Sequence, residues 1–261
     1  MIETCQFGEQ GHLAGIVTAP AGVPRTVCIL VNAGLVPKLG PFRLYVDVAR
    51  RLAREHIATL RFDLGGIGDS RQELAHLPLR ERTHAEISAA VDEVQRRFPE
   101  TREIVVGGLC SGAEDSFRYA ERDPRVTGVL LIDPFRYRTA GHHWRFLAYR
   151  MARRALRTAD VYEPLEARPG ETRLIQYKYM QHAESSRILR TMIERKARVH
   201  FVYTGGQQRS FNHPEQLQKM FPDIAFQNRV TVDYFPHLDH TQLLEDDRRQ
   251  VVSAIGHWLT H

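Results

Sequence analysis

The sequence predicts an α/β protein with a mainly parallel sheet covered by helices on both faces, and three observations predict it. Thr26–Val31 and Thr127–Ile132 are continuous apolar runs, as expected of strands covered on both sides. Segments with helical periodicity separate such runs, and strand–helix–strand order in repetition implies parallel pairing. The chain has 261 residues, 43% hydrophobic and 26% charged, which is enough to bury a core without disulfide or metal staples.

In chain order, residues 2–7 and 13–18 read as a hairpin turning through Gly8 to Gly11. The strand at 26–31 leads to a helix over 43–56, with Leu44, Val48, Leu52 and Ala53 on one face. A strand at 58–62, a helix near 81–98 and a strand at 103–107 follow. A helix at 111–122 and the strand at 127–132 continue the alternation. It lapses from about 135 to 195, then resumes with a strand at 199–203, a helix near 214–220, a strand at 229–235 and a closing helix over 246–259. The expectation is one domain, 1–261, with residues 135–195 inserted as a helical cap over the sheet.

Composition narrows the function. The three cysteines, Cys5, Cys28 and Cys110, are far apart and form no Cys-x-x-Cys pair, so neither a disulfide framework nor a zinc knuckle is expected. Met1–Thr4 lacks the basic-then-apolar pattern of a secretion signal, and no apolar run approaches the roughly 20 residues that span a bilayer. A cytoplasmic protein without metal or cofactor is expected. The net charge is +5, but arginines alternate with acids, as in Arg50-Arg51 and Arg54-Glu55, and no nucleic-acid motif accompanies them. Nucleic-acid binding and membrane insertion are not expected.

One segment carries chemistry. Gly108-Leu109-Cys110-Ser111-Gly112 lies between an apolar strand and a helix. A strained strand-to-helix turn needs small neighbours on both sides of its central residue, and Gly108 and Gly112 provide that clearance. The turn lifts Cys110 above the strand ends, beside the free N–H groups and positive end of the following helix. Thiolate is the attacking form of cysteine, and a helix N-terminus favours it. The base that such a nucleophile needs is His240, in the loop between the last strand and the closing helix, with His237 as the fallback.

The chain resembles the α/β-hydrolase superfamily, and within it the exosortase-system-associated and serine-aminopeptidase-like hydrolases. Four segments carry the resemblance: Val31–Gly34, Asp63–Ser70, the Gly108–Gly112 turn and Asp239-His240-Thr241. Most of the superfamily has serine at the centre of the turn, and cysteine there is similar to dienelactone hydrolase and some thioester-cleaving members. Ser111, the other conceivable nucleophile, sits one place off the apex. The resemblance implies an oxyanion hole formed by the amides of Ser111 and Gly34. Asp63–Ser70 matches the family's D-x-R-G-x-G-x-S turn, except that Gly65 stands at the arginine position. Its glycines do not complete a dinucleotide fingerprint, because Arg71 falls where the third would lie, and a structural loop is expected.

The resemblance also places an aspartate after the strand at 199–203, but Thr204–Arg209 contains none. Asp133, which ends the strand at 127–132, and Glu215 are the substitutes, Asp133 being preferred. In the insertion, Trp144, Leu147, Ala148, Met151 and Ala155 form an apolar helical stripe. Arg136, Arg138, Arg145, Arg150, Arg153, Arg154 and Arg157 surround it. The stripe is expected to pack as a cap; the arginines would suit coenzyme A phosphates or an acidic acyl-carrier protein. The expected activity is acyl hydrolysis of a small ester or thioester through a Cys110 acyl-enzyme. An acyltransferase using the same intermediate, or a binding protein on the same fold, are the alternatives.

Overall fold

The computed structural model describes residues 1–156, 180–207 and 210–261, with residues 152–156 as backbone only. Among these, the strands are β1 (Ile2–Phe7), β2 (Leu13–Thr18), β3 (Thr26–Val31), β4 (Ala58–Phe62), β5 (Glu103–Leu109), β6 (Val126–Ile132), β7 (Arg198–Thr204) and β8 (Val230–Phe235). The helices are α1 (Leu44–Arg54), α2 (Leu79–Arg97), α3 (Ser111–Arg122), α4 (Ala140–Leu156), α5 (His182–Glu194), α6 (Gln216–Met220) and α7 (Glu245–Thr260). The strands form an eight-stranded sheet in the order β1-β2-β4-β3-β5-β6-β7-β8. β1–β2 and β2–β4 pair antiparallel, and every other pair is parallel. This is the α/β-hydrolase fold.

The period-two geometry of a strand sorts the core into two layers. On β3, Val27, Ile29 and Val31 face α2, α3 and α5, where they join Ile87, Val91, Phe117, Ile188 and Met192. Cys28 and Leu30 face the opposite way, among Leu44, Tyr45, Val48 and Leu52 of α1 and Val251, Ile255 and Trp258 of α7. Trp258 is 8% exposed and stacks on His200 with ring centroids 5.1 Å apart. Cys28 is fully buried, and loss of hydration pushes its thiol up to about 12.

Two expectations for the insertion change. The segment expected to be cap contains α5, whose Ile188, Leu189, Met192 and Ile193 are buried in the main core. α5 is thus the crossover helix between β6 and β7; its mixed Ser-Ser-Arg start hides the periodicity. α4 does form, but its apolar stripe does not pack as expected: Trp144 is 72%, Leu147 47% and Met151 65% exposed. Ala148 is exposed as well. Arg145 donates to Asn212 (2.9 Å), Arg136 to the Pro134 carbonyl (3.1 Å), and Arg150 is exposed. The side chains of Arg153, Arg154, Ala155 and Arg157 lie outside the described residues.

Asp63–Ser70 is the structural loop expected of it. Asp63 is fully buried and accepts from the Lys38 backbone N–H (2.5 Å) and ammonium (2.6 Å) and from the Asp69 N–H (3.2 Å). The Asp63 carbonyl accepts from Ser70 Oγ (2.6 Å), which in turn accepts from the Ala14 N–H (2.9 Å). Gly68, at φ +54°, is required because a Cβ there would overlap the Asp63 carboxylate. The loop after β3 is thereby tied to the loop after β4. Removing one partner of a buried ion pair strands the other charge away from water. Asp63→Asn is expected to cost about 3–5 kcal/mol. In urea denaturation the midpoint should fall while the slope stays unchanged.

Candidate active site

β5 runs two residues further than expected, to Leu109, so the strand delivers the chain directly to Cys110. Cys110 has φ 54° and ψ −114°, a conformation in which non-glycine residues are strained. Close packing holds it there. The Cys110 N–H donates to the Ile132 carbonyl on β6 (2.8 Å), and its own carbonyl accepts from the Glu114 N–H (3.2 Å) to open α3. A Cβ on Gly108 would lie 2.6 Å from the Val31 carbonyl oxygen, and one on Gly112 only 2.5 Å from it and 2.6 Å from that of Asn32. The flanking glycines are thus the condition for α3 to start against the end of β3.

Tyr45 of α1 braces the turn from below. Its hydroxyl donates to the Val31 carbonyl (2.9 Å) and accepts from the Leu109 N–H (2.7 Å), bridging the ends of β3 and β5. Burial raises its pKa. Tyr45 lies beside the Leu44–Val48–Leu52 stripe, and helical periodicity alone registers it as one more core residue.

The structure brings Cys110, His240 and Asp133 together. Asp133 ends β6 at φ 45° with a fully buried side chain. Its Oδ1 accepts from the Thr204 N–H (2.8 Å), and its Oδ2 accepts from Thr204 Oγ1 (2.6 Å) and His240 Nδ1 (2.7 Å). His240 sits in the loop between β8 and α7. Burial works against a charged His240 ring, but the bond to Asp133 and the electrostatic influence of Cys110 outweigh it, and its pKa is pushed up to about 9.

The other candidates lie elsewhere. Glu215 is largely exposed and pairs with Lys219 (3.3 Å) at the start of α6, and His237 is exposed. Ser111 is buried one step past the apex, where its Oγ accepts from the Gly34 N–H at 2.7 Å. The Gly34 amide, expected as an oxyanion donor, is therefore engaged by Ser111, and the Ser111 N–H, in the first turn of α3, is the donor without an intrahelical acceptor. Asn32 shapes this loop by donating to the Gly34 carbonyl (2.8 Å) and accepting from the Leu64 N–H (2.9 Å).

The turn after β7 packs hard against the histidine loop. The Gly206 N–H donates to the Leu238 carbonyl (3.0 Å), and a Cβ on Gly206 would lie 2.6 Å from His240 N. The Gln207 amide comes within 3.0 Å of His240 Nδ1, so an amide stands near the ring where the resemblance implied a carboxylate. Gln242, fully buried at φ 55°, has neither side-chain amide atom hydrogen-bonded. Sequence pattern flags neither glutamine, since nothing in the spacing separates them from surface loop residues.

With the geometry in place, comparison with known proteins adds the family. The model of the family described as serine aminopeptidase, S33, matches residues 38–204, more than half of the chain. The chain belongs to this family of α/β hydrolases. It is thus a hydrolase-type enzyme. A comparison with curated proteins returned no match. Among solved structures, an esterase of Pyrococcus furiosus is similar at 13% identity and a TM-score of 0.64, over 99% of this chain and 90% of that one. Est1E from Butyrivibrio proteoclasticus is similar at 14% identity and a TM-score of 0.62, over 98% and 97% of the two chains. The esterase domain of a Rhodothermus marinus protein shares 17% identity at a TM-score of 0.60, over 100% and 98%. Among the described residues no helix is long and apolar enough to cross a membrane, and no cluster could hold a metal ion.

The raised His240 pKa has a definite sign for stability. A histidine lifted from 6.5 to about 9 stabilises the fold fully below pH 6.5, and that contribution is lost as pH rises through about 9. NMR titration of the His240 ring should show protonation near pH 9. In Asp133→Asn the opposing effect of burial gains weight, and the midpoint should move down toward or below 6.5. An unchanged midpoint would mean that the Asp133 carboxylate does not hold the ring's proton.

Proposed function

We propose that this member is an acyl hydrolase, an esterase or thioesterase, acting through a Cys110 acyl-enzyme with His240 as its proton shuttle and Asp133 as the acid that orients it. The observation that carries the reading is the fully buried Asp133 carboxylate hydrogen-bonded to His240 Nδ1, with Cys110 at the apex of a strained turn among the groups that raise the pKa of that ring. Asp133 fixes the tautomer by holding the proton on Nδ1, which leaves the far ring nitrogen to exchange a proton with sulfur.

In this scheme the proton lost from the Cys110 thiol resides on the His240 ring, which stays protonated up to about pH 9, and Sγ attacks the acyl carbonyl carbon. The Ser111 N–H receives the developing oxyanion, and the Gly34 N–H joins it once Ser111 Oγ gives up that bond. The tetrahedral species collapses with loss of alcohol or thiol, which takes the proton from His240. Water, deprotonated by His240, then attacks the enzyme-bound thioester and releases the acid. An acyltransferase would replace that water with an amine or alcohol. A binding protein without chemistry would have no use for a carboxylate buried against the histidine.

Intact-mass measurement after incubation with a panel of short and long acyl thioesters tests the scheme. An acyl adduct is expected on the wild-type protein and none on Cys110→Ala. His240→Ala should slow adduct formation by about 10²- to 10⁴-fold. Iodoacetamide should label Cys110 well before the buried Cys28. Absence of an adduct, together with equal labelling of the two cysteines, would leave only the binding reading. Product analysis with added amine separates hydrolysis from transfer.

A further inference from the structure

A second polar site lies away from Cys110, on the α1 face of the sheet. Leu60 and Phe62 of β4 point into the α2–α3 core layer, so Arg61 between them points toward α1, as does its β3 partner Leu30. Arg43 at the start of α1, with Val46 and Arg50, lies on one face of that helix, since spacings of three and four residues bring side chains into register. These residues, with Thr18 and Leu39, line a cavity of about 270 Å³. That is near the lower end of small-molecule pockets, which span roughly 300–1,000 Å³.

The electrostatics of this cavity are one-sided. Arg61 is only 5% exposed; its Nη1 donates to the Lys38 carbonyl (3.4 Å), and its Nε has no hydrogen-bond partner. Among the described residues, the side chains of Arg43 and Arg50 make no hydrogen bond or ion pair. The nearby carboxylates are engaged elsewhere: Asp63 with Lys38, and Asp47 of α1 with Arg248 at 3.3 Å. Burial, and then repulsion from Arg50 and Arg43, lower the pKa of Arg61, and the attraction of Asp63, itself paired with Lys38, does not offset them. Phe42 and Arg43 also take φ values of 45° and 70°, so strained backbone holds Arg43 in place.

Buried charges are ordinarily paired, and planar guanidinium groups match the oxygen spacing of phosphate. We propose that this cavity binds the phosphate group of a phosphorylated small molecule, with Arg43, Arg50 and Arg61 as its donors and Leu39 and Val46 as the wall for the organic part. It forms one end of the 33–43 loop, whose other end, Gly34, reaches the Cys110 turn through Ser111.

The test uses inorganic phosphate and adenosine monophosphate as probes, with melting temperature followed at constant ionic strength against chloride. Both should raise the melting temperature of the wild-type protein with saturation, as specific binding to the folded state requires. The monophosphate should act at lower concentration. Arg43→Gln/Arg50→Gln, at two exposed positions, should weaken both responses by at least about tenfold, and Arg61→Gln should do the same. Arg150→Gln on α4 should respond as the wild type. A phosphate response no larger than that of chloride, or one that survives in the double variant, would overturn the proposal. Equal affinity for both probes would assign the cavity to the free ion and overturn its small-molecule part. Binding of a poly-uridylate chain without any response to either probe would overturn it in favour of a nucleic-acid contact.

Discussion

Much of the molecule depends on one close approach of backbone to backbone: the start of α3 pressed against the carbonyls that end β3. Gly108 and Gly112 allow it, and the Cys110–Ile132 hydrogen bond and the Tyr45 bridge hold it. Cys110 is strained because the chain on either side of it is fixed. Sheet pairing fixes the residues before it, the helix fixes those after it, and an unfavourable φ at Cys110 is what joins them. Gly34 and Ser111 interact for the same reason, since the β3 loop has no other place to go once α3 sits on it.

His240 and Asp133 are placed by a different device. His240 comes from a loop, and loops need external ties to hold a side chain in register. Here the ties are the Gly206–Leu238 bond and the Asp133 carboxylate, itself clamped by Thr204 at the end of β7. β6, β7 and the loop after β8 thus converge on a single carboxylate with three hydrogen-bond donors. Its full burial is tolerable because each acceptor direction in use is met.

How legible this was in the sequence follows from what is local. The strands were plain because Thr26–Val31 and Thr127–Ile132 are continuous apolar runs, and α1 was plain from its periodicity. The Cys110 turn could be found because its two glycines answer a local steric need, and Asp133 because it directly follows an apolar strand. α5 was not legible: its buried stripe is short and begins behind a polar Glu-Ser-Ser-Arg segment. The packing of α4 was misjudged because an apolar stripe reports what could be buried, not whether anything lies opposite it. The engagement of Gly34 by Ser111, the bridge of Tyr45 and the gathering of Arg43, Arg50 and Arg61 are contacts between distant segments. Residue spacing does not encode them.

The two tryptophans occupy opposite situations, Trp144 open to solvent on α4 and Trp258 packed on His200 beneath the sheet. The intrinsic emission of the protein therefore has two separable components. A collisional quencher in the water reaches the indole of α4 and spares the one under the sheet. Whatever comes to rest on α4 will announce itself as a blue shift in the quenchable fraction, while loss of the fold will redden the protected one.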